Sequence, residues 1–85
     1  MEKIQHYFLD QDSQYEEVDP GVYRKVIAHH DALMICHLHF KKGAIGKLHE
    51  HYHDQCTYIL SGKFEFNIGG EKMILGPGDS TYKEP

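Results

Sequence analysis

An all-β fold, a barrel or sandwich of short strands, is what this sequence predicts, and three observations carry the prediction. Apolar and polar residues alternate at a period of two where Phe64, Phe66 and Ile68 are separated by Glu65 and Asn67, the pattern of a strand with one dry and one wet face. Further short runs rich in β-branched and large apolar residues recur at strand spacing, divided by glycine-rich turns. No stretch has the 3.6-residue periodicity of an amphipathic helix.

The elements follow in order. Residues 1–21 are polar and end in the turn signal Asp19-Pro20-Gly21, with Tyr7-Phe8-Leu9 expected as an edge strand or one short helical turn. Runs at 23–28 and 32–40 predict two strands joined by a hairpin turn at His29-His30-Asp31. In the second run Met34, Cys36, Leu38 and Phe40 share one face, and Leu33, Ile35, His37 and His39 share the other. Lys42-Gly43 closes that strand and residues 45–51 open the next. Residues 56–60 are a compact apolar strand ending at Ser61-Gly62, and Tyr58 is read as core, as are Phe64 and Phe66. Gly69-Gly70 supplies the two-residue hairpin turn that needs positive φ. Residues 72–75 return, Gly76-Pro77-Gly78-Asp79 turns again, and 80–83 form the last strand.

With 85 residues and no linker-like shift in composition, one domain is expected over 1–85, with its core at about 23–85. A domain this small hides only about 60–65% of its unfolded surface. It gains most by binding a metal or by pairing with a second copy, so a homodimer is expected. A net charge of -4, with Lys and Arg scattered among Asp and Glu, leaves no basic stripe for phosphates, which argues against nucleic acid as a partner. The first 25 residues hold no apolar run of the length an export signal needs, and no later stretch could span a bilayer. The expected location is the cytoplasm. Cys36 and Cys56 lie twenty residues apart in apolar runs, which reads as reduced core thiols, the alternatives being a disulfide or a stray metal contact.

Eight histidines are the anomaly of the composition, and five of them fall within residues 37–53. Residues two apart on a strand point to the same side, so His49 and His51 present both imidazoles to one point. Such a pair suits zinc, nickel, iron or copper, although an isolated H-x-H on an exposed strand is more often a polar face without consequence. A turn around Tyr52-His53-Asp54 can bring Gln55 to the same point from the start of the next strand, as a third ligand. From Gly43 to Gly62 the string reads G-x5-H-x-H-x3-Q-x6-G. It resembles the first sequence motif of the cupin superfamily, G-x5-H-x-H-x(3,4)-E-x6-G, at every spacing.

The resemblance continues into Gly69-Gly70-Glu71-Lys72 and Gly76-Pro77-Gly78-Asp79, similar to the family's inter-motif hairpin and the glycine that opens its second motif. It implies a cupin jelly-roll barrel, a double-stranded β-helix, from about residue 23 onward. The second motif supplies a further histidine ligand, and this sequence is expected to stop at Pro85 one strand short of it, with the C-terminal strands missing. Gln55 stands where most cupins have glutamate, so the ligand set adds no negative charge and the metal pulls harder on substrate oxygens.

With His49, His51 and Gln55 as ligands, the sequence is similar to the small single-domain cupins called pectin degradation proteins. That resemblance implies conversion of 4,5-unsaturated monouronates from pectin or alginate into linear 4-deoxy-5-keto sugar acids. One divalent transition metal is implied, whether nickel, zinc, iron or manganese, together with a small anionic sugar-acid substrate. A cationic centre favours such a substrate by focusing the field. Two other activities fit a cupin site, a metal-dependent dioxygenase and a non-enzymatic sugar-binding sensor. His53 is read as a solvated turn residue, the alternative being a contact to substrate or metal. His37 and His39 are read as wall or subunit-interface residues rather than a second metal site, since no third ligand stands at useful spacing.

Overall fold

The computed structural model describes residues 3–46 and 53–85, and among these it has seven strands, one 3-10 turn at Asp10–Asp12 and no α-helix. The strands are β1 (Glu16–Asp19), β2 (Val22–His30), β3 (Leu33–Phe40), β4 (Gln55–Tyr58), β5 (Phe64–Ile68), β6 (Glu71–Leu75) and β7 (Ser80–Lys83). No helix among the described residues is long and apolar enough to cross a membrane. The chain divides into two compact units, Met1–Leu48 and His49–Pro85.

In the first unit β1, β2 and β3 form an antiparallel sheet in that order. The β2–β3 hairpin turns at Asp31-Ala32, and His29 and His30 pair with Met34 and Leu33. These two histidines therefore extend β2, against the expectation that they turn. At an exposed hairpin end the ladder needs only backbone groups, which polar residues supply as well as apolar ones. A bulge between Val26 and Ala28 shifts the register of that ladder. Strand β1 is absent from the sequence reading because Glu16, Glu17 and Val18 are exposed and carry no alternation. Its pairing is written in β2, where Arg24 and Tyr23 stand opposite Glu16 and Glu17. The turn between them needs Gly21, which has φ +75° and a position where a Cβ would meet the Ala44 Cβ at 3.0 Å. Residues 7–9 form neither a strand nor a helical turn; the turn begins one residue later, at Asp10.

The second unit nests one hairpin inside another strand pair. Strands β5 and β6 are joined by Gly69-Gly70, with φ +61° and +83°, as expected of a two-residue turn. In sequence this hairpin lies between β4 and β7, which pair antiparallel. Beyond the last bridge the β4–β7 ladder is prolonged, since the Ile59 N–H donates to the Asp79 carbonyl at 3.0 Å and the Gly78 N–H to the Ile59 carbonyl at 2.9 Å. The turn at 76–79 is closed from both sides, with the Asp79 N–H on the Gly76 carbonyl and the Gly76 N–H on Asp79 Oδ2. Phe64, Phe66 and Ile68 are half-buried and Glu65 and Asn67 exposed, as the alternation predicts. Among the described residues the buried apolar side chains are Val22 in the first unit and Ile59 in the second, so each core is thin.

Candidate functional site

Gln55 is the first residue of β4, and the register places it opposite Lys83 at the end of β7. The rest of that ladder pairs Cys56 with Tyr82, Thr57 with Thr81 and Tyr58 with Ser80. Directly opposed residues of an antiparallel pair share a face. Gln55, Thr57, Thr81 and Lys83 therefore lie on one face, where all but Gln55 are half-buried, while Cys56, Tyr58, Ser80 and Tyr82 lie on the other and are exposed. Of the three expected ligands, Gln55 is thus presented on the drier face of its strand pair. His49 and His51 lie outside the described residues.

This facing corrects two expectations. Tyr58 is 64% exposed and Cys56 is exposed, so neither is core. The run 56–60 reads as a compact apolar strand, but a strand turns only alternate residues inward, and here those are Thr57 and Ile59. Cys36 is half-buried and both thiols are free. Gly43 and Gly62, which open and close the motif string, have φ +81° and +83°. Both are positions where a side chain would strain the backbone.

A second contact fixes the approach to Gln55. The Tyr82 hydroxyl donates to Asp54 Oδ1 at 2.6 Å, which ties the residue before β4 to the neighbouring strand β7. That hydrogen bond, with smaller effects of burial and of the Asp54 charge, raises the phenol above its ordinary value of 10.0, so the donor keeps its proton through neutral and mildly basic pH. His53 is an exposed bend residue.

Among the described residues no group of three or more His, Cys, Asp or Glu could hold a metal ion. His37 and His39 are occupied otherwise. The Tyr15 hydroxyl and His37 Nδ1 share a hydrogen bond of 2.8 Å, and the His39 ring lies 6.3 Å from that of Tyr23. Lys25, opposite His37 in the β2–β3 ladder, is buried, pairs with Asp10 at 2.5 Å and stands 5.4 Å from the Tyr15 ring centre. The hydrogen bond from Lys25 and then its charge hold the Asp10 carboxyl below its ordinary 3.8. This cluster satisfies a buried ammonium, which needs a counter-charge to be tolerated.

The donor chemistry fits a divalent transition metal. Two imidazoles spaced to converge and a neutral amide oxygen make a set that accepts a borderline cation without adding charge. Within the described residues the amide of Gln55 is exposed at the head of β4, on the face it shares with the half-buried Thr57, Thr81 and Lys83.

A model of the Cupin domain matches residues 36–85. The pectin degradation protein KdgF of Dickeya dadantii (strain 3937) is 46% identical over 78 residues, which are 91% of this chain and 71% of that protein. Among solved structures, KdgF from Halomonas sp. superposes with a TM-score of 0.82 at 38% identity, covering 93% of this chain and 73% of that one. An RmlC-like cupin from Shewanella frigidimarina NCIMB 400 superposes with a TM-score of 0.87 at 30% identity, covering 100% and 77%.

Proposed function

This chain belongs to the cupin family and is a relative of the pectin degradation proteins, and from that premise we propose that it is a metal-dependent enzyme linearising 4,5-unsaturated monouronates to 4-deoxy-5-keto sugar acids. The observation that carries the reading is Gln55, a neutral residue at the third ligand position, exposed at the head of β4 on the face it shares with Thr57 and Thr81. In this proposal His49, His51 and Gln55 hold the cation. When bound, a divalent metal supplies Lewis acidity toward the substrate's carboxylate and oxygen atoms.

The reaction is an isomerisation and needs no co-reactant. The ring C1–O5 bond opens, the C1 hydroxyl becomes a carbonyl as it gives up its proton, C4 of the enol ether gains one, and C5 becomes the ketone. What the chain's own residues contribute is charge and placement. Gln55 brings no negative charge, so an anionic sugar acid meets a more positive site than a glutamate would leave. Asp54 and Tyr82 hold the entry to β4 against β7, and with it the position of the Gln55 amide.

The proposal includes a homodimer. Among the described residues β3 is an edge of its sheet, and Leu33, Met34, Ile35 and Leu38 along it are 44–73% exposed, an apolar edge that pairing would cover. The test of function is the ultraviolet absorbance of an unsaturated monouronate incubated with limiting full-length protein. Decay well above the buffer rate, with a linear keto acid as product, is expected. Decay at the buffer rate with metal supplied overturns the reading.

A further inference from the structure

We propose that Tyr23, His39 and Lys41 form a binding site for a small carboxylate on the sheet of the first unit. Its basis is a repeat in the β2–β3 ladder. His37 and His39 stand two residues apart on β3, so they share a face and lie about 6.5–7 Å apart along it. Each meets a tyrosine and a lysine there. The Tyr15 hydroxyl is 2.8 Å from His37 Nδ1, and Lys25 Nζ, from the residue opposite His37, stands 5.4 Å from the Tyr15 ring centre. One step along, the His39 ring lies 6.3 Å from that of Tyr23, its partner across the ladder, and Lys41 Nζ stands 5.6 Å from the Tyr23 ring centre.

The first trio shows what such a group holds. Lys25 Nζ meets Asp10 Oδ1 at 2.5 Å. The hydrogen bond from Lys25, then its charge, and to a smaller extent the charge of His37 keep that carboxyl below its ordinary 3.8. The anion there comes from the N-terminal segment of the chain itself. Among the described residues the second trio has no carboxylate paired with its lysine, the ion pairs being Arg24 with Glu16 and Lys25 with Asp10. Glu17 stands opposite Tyr23 in the β1–β2 ladder, but its Oε2 accepts the Gly21 N–H at 3.2 Å. Lys41 is nonetheless held in place. Its N–H donates to the Gly21 carbonyl at 2.8 Å, and a Cβ at Gly21 would lie 3.5 Å from the Lys41 Cβ and 4.0 Å from its Cδ, so the lysine stem runs along the turn. Tyr23 is half-buried while His39 and Lys41 are exposed, which sets an ammonium and an imidazole beside an aromatic ring within reach of a solute. A carboxylate from outside takes at this step of the ladder the place that Asp10 takes at the other. A sugar acid and a simple organic acid both present that group, and the Tyr23 ring offers a sugar an apolar face as well. The inference stands apart from the reaction proposed above.

The experiment is an NMR titration of the full-length protein at low salt, following the ring signals of His39 and Tyr23. Sodium acetate, sodium D-galacturonate and neutral D-galactose are the probes. The parent is compared with Lys41→Met, Lys41→Arg and Glu17→Gln, and with Lys42→Met, which removes the same charge at the exposed neighbouring residue. Both carboxylates are expected to move the two rings with saturation in the millimolar range, and galactose is not. Lys41→Met should weaken binding about fivefold, the scale of one exposed ion pair, and Lys41→Arg should recover it. Lys42→Met should match the parent, Glu17→Gln should tighten binding by removing a nearby negative charge, and added salt should weaken it. Galacturonate tighter than acetate upholds the site with a sugar acid as its ligand, and equal affinities uphold it as a reader of the carboxylate alone. Rings that respond to neither carboxylate overturn the proposal, as does parent-like affinity in Lys41→Met. An equal loss in Lys42→Met also overturns it, since diffuse surface charge would then account for the attraction.

Discussion

At residue 55 a single atom exchange, amide nitrogen for carboxylate oxygen, separates this site from the common cupin ligand set. If the proposed site holds, Gln55→Glu adds a negative charge to the ligand set and opposite Lys83, so metal should be held as well or better while the proposed uronate-linearising rate drops. The expected loss is one to two orders of magnitude, about 1.4–2.7 kcal/mol of transition-state stabilisation. Initial rates on the unsaturated uronate, with metal content measured on the same samples, check it; full rate with full metal would make the amide incidental. Asp10 offers a pH test remote from that site. Lys25 lowers its carboxyl pKa in the folded state, so the pairing contributes stability that is present above the ordinary carboxylate value and lost as pH falls through the folded one. Asp10→Asn should therefore melt below the parent at pH 7, and the gap should close in acid below about pH 4. A gap that stays constant between pH 7 and pH 3 would show that the ion pair contributes nothing.

Among the elements, what the sequence disclosed depended on whether a strand carries its own pattern. Phe64, Phe66 and Ile68 alternate in one strand, and Gly69-Gly70 names its own turn, so β5 and β6 were legible without a partner. Gly70→Ala, at φ +83°, should cost about 1–2 kcal/mol, read as a lower denaturation midpoint; an unchanged midpoint would mean the turn relaxes at no cost. Strand β1 was illegible because its residues face water and its order comes from β2. His29 and His30 were misread for the complementary reason, a polar cluster at a hairpin end looking like the turn it adjoins. Cys56 and Tyr58 read as buried because they are the apolar pair flanking Thr57, yet it is the small polar Thr57, with Ile59, that faces inward. Tyr82→Phe tests the element-level tie to Asp54. It should loosen the start of β4, seen as faster amide exchange at residues 55–57, and parent-like protection there would remove the tie from the account.

For the molecule as a whole, the spacing of His49, His51 and Gln55 between glycines was readable because motif spacing is a one-dimensional property. The pairing of Gln55 with Lys83 was not, because it exists only in the strand register. The exposed apolar edge of β3 leads to the expectation of a homodimer, and sedimentation of the full-length protein at micromolar concentration should report two copies; a monomer would contradict it. The central claim joins metal to reaction, and one titration tests it most directly: the rate of unsaturated-uronate decay measured as metal-stripped, full-length protein is reloaded with a divalent transition metal. The account predicts a rate at the buffer level when stripped, rising in proportion to occupancy and levelling at about one metal per chain. Stripped protein that works as fast as the reloaded protein would contradict it.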